Sequence, residues 1–178
     1  MNANVYANSL FSLSEEDGCS EKVLSDLLLA SDIINQEEGY INLLSSPVIE
    51  LKERLALIDE AFKDMHIYVV NLLKLLCEKR SVKLFGKCAR DFEALFNKKN
   101  NIEKISVITA VPLTDSLREK LIKKLAEERG KKIILEESVD KGIIGGIIVR
   151  TENSQTDASV LTRLEAIKAQ LVSSGNMD

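Results

Sequence analysis

Through the first hundred residues or so, apolar positions return every three to four residues. Ala3, Tyr6, Ala7, Leu10 and Leu13 form one stripe and predict a helix over residues 3–14. Gly18 stops it, and Ser20 stands where it can cap a second helix, "EKVLSDLLLASDII", at 21–34. A short helix fits 37–44, ended by "SSP" at 45–47. "VIELKERLALIDEAF", "HIYVVNLLKLLCEKR" and "VKLFGKCARDFEALF" then each keep a period near 3.6. Five or six short helices on tight connections predict a compact antiparallel bundle.

Two of these helices carry more apolar surface than a core-facing stripe needs. In the fifth, Tyr68, Val69, Val70, Leu72, Leu73, Leu75, Leu76 and Cys77 cover over half the wheel, leaving Asn71, Lys74 and Glu78 as the polar stripe. In the first, Phe11 widens the apolar arc to roughly 160°. The fifth helix is either the centre of the bundle or one wall of a groove for another chain's helix, and both can hold together.

The pattern changes near residue 98. "NKKNNIEK" is polar, basic and rich in Asn, and reads as a linker. "ISVITAV" at 105–111 is a β-branched run, expected as a buried strand. Pro112 ends it, and Thr114 is placed to cap the helix "DSLREKLIKKLAEER", with Gly130 as its stop. "KKIILEES" and "GIIVR" predict two more strands, and Val160, Leu164, Ile167 and Leu171 predict a last helix over about 157–172. This half reads as a β-α-β-β-α unit, so the fold class expected is α+β and mostly helical, with domains at 1–100 and 101–178.

The glycines of "VDKGIIGGIIVR" at 139–150 raise the question of phosphate binding. A phosphate loop sets its glycines between a strand and a helix. Here Gly145 and Gly146 lead into another strand, with no GxGxxG spacing and no Lys-Ser/Thr after them. "GIIG" at 142–145 matches the GxxG of KH domains, but that loop joins helices and carries basic residues, so RNA binding is a weak alternative. The structural reading gives Gly142 a positive φ in a turn and lets Gly145 and Gly146 open a strand beside a close backbone.

Composition adds little chemistry. The net charge of -4 offers no general attraction for nucleic acid or anionic lipid. Three cysteines without a CxxC pair are expected as free thiols in a reducing compartment. No stretch approaches the roughly 18 apolar residues of a membrane span, and the N-terminal residues lack the features of a signal or transit peptide. The single histidine, His66, is placed to cap the fifth helix, and the acidic pairs lack partner ligands, so no catalytic, metal or cofactor site is expected.

The stretch from Ile105 to Ile167 resembles the delta subunit family of F-type ATP synthases, whose mitochondrial counterpart is the oligomycin-sensitivity-conferring protein. The residues that carry the resemblance are Ala110, Pro112-Leu113-Thr114, Gly130-Lys131, Val139-Asp140, Gly145-Gly146, Val149-Arg150, Asp157, Ser159-Val160 and Arg163-Leu164. "VYANSLFSL" is similar, more loosely, to the family's opening. Val5 stands where the opening usually has Arg, Arg80-Ser81 occupies a usual Gly-Arg step, and Ala158 replaces a usual Gly.

The resemblance implies a non-catalytic stator subunit, peripheral on the cytoplasmic face of a bacterial membrane. It implies a six-helix N-terminal domain binding the N-terminal helix of an alpha subunit in a groove between the first and fifth helices. It also implies a small domain binding the C-terminal region of the b subunits. Joined to the wide apolar arcs, it points to Tyr6, Leu10, Phe11, Val69, Leu72 and Leu76 as groove residues. Pro112, Asp140, Gly145, Gly146, Arg150, Asp157 and Arg163 are its structural signature. A generic helical adaptor is the alternative, without alpha or b partners.

Overall fold

The computed structural model describes residues 2–143, 145–151 and 155–157. The chain is a mostly helical α+β protein that divides into two compact units, Met1–Asn100 and Asn101–Asp178.

The first unit contains α1 (Ala3–Glu16), α2 (Ser20–Gln36), α3 (Glu38–Ser45), α4 (Leu51–Ala61), α5 (Ile67–Glu78) and α6 (Phe85–Lys99), with one 3₁₀ turn, Val82–Leu84, leading into α6. Ser20 is the first helical residue rather than the cap, and its hydroxyl donates to the Glu15 carboxylate. Three helix ends of this unit close in the left-handed conformation, the one after α6 at Asn101, φ 54. After α1, Gly18 takes φ 66 and the N–H of Cys19 reaches the carbonyl of Ser14 at 2.8 Å. After α5, Arg80 takes φ 52 and the N–H of Ser81 reaches the carbonyl of Leu76 at 2.7 Å.

One core runs through all six helices, with Phe62, Phe85, Phe92, Leu27, Leu44, Leu73 and Leu76 among its fully buried side chains. Two charged residues lie inside it. Asp26 of α2 accepts the backbone N–H of His66 at 2.7 Å, while the His66 imidazole accepts the N–H of Tyr68, so the start of α5 is held by both. Arg54 of α4 donates to the carbonyl of Leu44 at 2.9 Å, filling an acceptor at the end of α3, and lies 3.8 Å from the Cys77 sulfur.

"NKKNNIEK" is not a linker: α6 continues through Lys99 and the next strand begins at Ile102. The basic residues occupy the last turn of α6, where cations suit the helix C-terminus, and polar side chains suit its exposed face.

The second unit contains β1 (Ile102–Thr109), α7 (Asp115–Arg129), β2 (Lys132–Val139), β3 (Ile147–Arg150) and β4 (Gln155–Asp157), in the order β2-β1-β3-β4. β1 and β2 are parallel, joined through α7, and β3 and β4 add antiparallel. Ile105, Val107 and Thr109 alternate to the buried face of β1; Val107 pairs with Val149 and Thr109 with Ile147. Gly130 ends α7 at φ 64.

Two expectations change here, and a third is not tested. The positive φ lies at Gly146, φ 92, and not at Gly142, because the Asp140 carboxylate accepts the N–H of Gly142 and builds the turn by itself. Gln155–Asp157 forms a fourth strand, so Asp157 ends a strand instead of opening a helix. The predicted last helix, with Arg163, lies outside the described residues apart from Asp157.

Candidate functional site

The seam between α1 and α5 is fixed at one end by the Tyr68 hydroxyl, which donates to the Asp17 carboxylate just past α1. That bond holds the Tyr68 phenol above its usual pKa. The outer flanks are fixed as well. Phe11 sets its ring edge-on to Phe92 of α6 at 5.5 Å, and Lys99 of α6 pairs with Glu15. Lys74 pairs with Asp59 of α4. The faces of α1 and α5 opposite these anchors are therefore the ones that meet along the seam.

Of the six residues expected in a groove, Val69 and Leu76 are buried to 1% and 0%, and Leu10 and Leu72 to 7% and 6%; all four belong to the core. Tyr6 and Phe11 are half-buried, Phe11 on the α6 side. Most of the wide apolar arc of α5 is thus spent on its own bundle. What stays exposed near the seam is Leu13, seven residues from Tyr6, and Leu75, seven from Tyr68 and three from Leu72. Sequence reasoning missed Leu13 and Leu75 as surface residues; heptad spacing from the two tyrosines was the available signal.

In the second unit a cavity of about 570 Å³ opens between the N-terminal half of α7 and the start of β3. Leu117 and Leu121 form one wall, Pro112 and Leu113 another, and Ile147 the floor with Gly145 and Gly146 beside it. Lys120 and Lys124 stand on its edge. Three signature residues, Pro112, Gly145 and Gly146, therefore meet at one place. Asp140 supports the turn that leads there, donating its own N–H to the carbonyl of Thr109 at 2.9 Å. Arg150 is exposed at the far end of β3, opposite Ser106 and Gln155, away from the cavity.

The α7 wall is tied down by Arg118, whose guanidinium makes two hydrogen bonds to Glu137 of β2 and a third to Asp115. The hydrogen bond from Arg118 holds the Glu137 carboxyl below its usual value. A smaller cavity, about 360 Å³, lies in the helical unit beside Ile33, Tyr40, Leu43 and Phe62. Burial, with Cys77 nearby, pushes the Tyr40 phenol up to about 12. Among the described residues no three His, Cys, Asp or Glu side chains come together as a metal site, and no helix is long and apolar enough to cross a membrane.

Comparison with known proteins places the chain in a family. The profile of the family described as ATP synthase delta (OSCP) subunit matches residues 3–171. ATP synthase subunit delta of Clostridium botulinum (strain Langeland) is 34% identical over 168 residues, 94% of each chain. That of Clostridioides difficile (strain 630) is 32% identical over 171 residues, 95% of this chain and 94% of the other. A chain in the cryo-EM structure of the Toxoplasma gondii mitochondrial ATP synthase hexamer shares the fold, with a TM-score of 0.73 over 97% of this chain and 98% of that one, at 20% identity.

Proposed function

The chain belongs to the ATP synthase delta (OSCP) subunit family, the non-catalytic stator component of an F-type ATP synthase, and from that premise we propose that it is a connector with one partner on each unit. The helical unit takes the N-terminal helix of an alpha subunit along the α1–α5 seam. The sheet unit takes the C-terminal region of the b subunits. The subunit then sits peripherally on the cytoplasmic side of a bacterial membrane, holding the catalytic head against rotor torque.

The observation that carries the reading is the set Tyr6, Leu13, Tyr68 and Leu75 on α1 and α5, side chains left half-buried or exposed, with the buried Leu72 between Tyr68 and Leu75. Spacings of three, four and seven residues suit a helix laid in a groove. An interface of about 1,600 Å² with a few such anchors reaches nanomolar affinity, about -12 kcal/mol, with dissociation slow enough to resist repeated load. No catalytic chemistry is required for this work.

Titration of the full chain with a synthetic peptide of the alpha-subunit N-terminus tests the reading. Leu13→Asp and Leu75→Asp, both at exposed positions, are expected to abolish binding while helicity stays intact. Val69→Asp is unsuitable, because a charge at a 1% exposed site unfolds the bundle. Unchanged affinity in both exposed variants would overturn the assignment of the seam.

A further inference from the structure

The cavity beside α7 differs from the seam in one respect: its edge is charged. Leu117, Lys120, Leu121 and Lys124 follow i, i+3, i+4, i+7 on one face of α7, so two apolar side chains alternate with two ammonium groups along the opening. Neither Lys120 nor Lys124 has an acidic partner among the described residues, while Arg118 on the same helix is paired with Asp115 and Glu137. Other lysines of the unit, Lys123 and Lys132 among them, also lack an acidic partner among the described residues; what sets Lys120 and Lys124 apart is that they line the apolar cavity, in a chain that is acidic as a whole.

We infer that this cavity receives an amphipathic helix whose apolar anchors are flanked by carboxylates, and that Lys120 and Lys124 set its register. The inference rests on the stator reading of the sheet unit and names the chemistry of its stalk partner. The ridge of Leu117 and Leu121 accepts the anchors, as one helix packs its ridge along another. Lys120 and Lys124 then pair with acidic residues on the partner's adjoining face, which fixes orientation and speeds association. Gly145 and Gly146 leave the opposite lip without side chains, so the partner's backbone can approach Ile147 closely.

The test uses the full chain and a synthetic peptide of the C-terminal segment of the b subunit from the same ATP synthase, with affinity measured by calorimetry at low and raised salt. Binding is expected at low salt, weaker as salt rises. Lys120→Glu with Lys124→Glu is expected to cost tenfold or more in affinity at low salt. Replacing the peptide's Asp and Glu by Asn and Gln should cost the same, with little further loss when both changes are combined. Leu117→Asp, at a half-exposed position, is expected to remove binding with the far-ultraviolet spectrum unchanged. If the peptide binds and none of these changes matters, the cavity is not the site and the stalk reading survives. If the peptide does not bind at all, the stalk reading itself fails. If Leu117→Asp instead lowers the melting temperature of the free chain or alters its oligomeric state, with peptide affinity unchanged, the occupant is the chain's own residues beyond Asp157 or a second copy, and the inference is overturned.

Discussion

The helical unit and the sheet unit bury apolar surface in unequal measure. In the first, each helix sends side chains into one core centred on phenylalanines and leucines. In the second, the only buried apolar side chains among the described residues are Ile105, Val107, Leu125 and Ile133, and an apolar cavity stays open beside them. On the proposed reading, a partner at the seam adds contact to a core that is already formed. A thin core with an open cavity gains from its partner the burial it lacks, so binding and stability are coupled there. On the proposed reading, the connector has one unit whose core is formed by its own helices and one whose open cavity a partner would fill.

The largest expected effect tests that contrast directly. Phe92→Ala, at a site with no exposure, is expected to cost about 3–5 kcal/mol in the helical unit, and Val107→Ala about 2 kcal/mol in the sheet unit. Denaturant titration followed by signals from each unit separates the two. Equal losses per buried carbon removed would mean that the cores are equally saturated. Next in size is Arg54→Met, which removes the charged donor to the carbonyl of Leu44 and is expected to cost about 2 kcal/mol. A gain in stability would show instead that the desolvation of Arg54 outweighs its hydrogen bonds, since its Nε has no partner.

Arg54 also shows where sequence reading falls short. The helical period was legible for all of α1 to α7, because the stripes at i, i+3, i+4 and i+7 are strong. The same period places Arg54 on the face of Ile58 and Asp26 on the face of Val23 and Ala30, yet a charged residue is read as surface unless its partners are known. Those partners, the Leu44 carbonyl and the His66 N–H, are backbone groups 10 and 40 residues away, which no local pattern reveals. β4 was hidden for another reason: three residues, "QTD", carry too little alternation to mark a strand, and only the ladder to β3 creates it. At the seam, the wide arc of α5 was visible but its division between core and surface was not. That division follows from Lys74–Asp59 and Tyr68–Asp17, contacts that set the roll of the helix.

Two helix ends offer a smaller and symmetrical comparison. Arg80 holds a left-handed conformation, φ 52, at the end of α5. Gly130 does the same work at the end of α7, φ 64, with nothing within 4 Å of the place a Cβ would occupy. Arg80→Gly is therefore expected to stabilise the helical unit by about 1 kcal/mol, and Gly130→Ala to destabilise the sheet unit by about the same amount. Thermal melts of both variants check this. Opposite signs are required, since only the backbone cost differs.

The smallest effect concerns the pair that ties α7 to β2. Arg118 lowers the Glu137 carboxyl, so this pair contributes stability above the unfolded carboxyl value of 4.5 and loses it as pH falls through the depressed folded value. Both side chains are open to solvent, and salt screens the attraction, so the contribution is slight. Glu137→Gln is expected to lower the melting temperature of the sheet unit slightly at neutral pH and to leave it unchanged at acid pH, where the wild-type carboxyl is already protonated. Its larger consequence is positional. Arg118 adjoins Leu117, and without its anchor on β2 the cavity wall loses its fixed pitch. Glu137→Gln should therefore weaken binding of the b-subunit peptide at neutral pH by more than the melting temperature alone suggests, and affinity that tracks stability one for one would show that the pair only holds the fold.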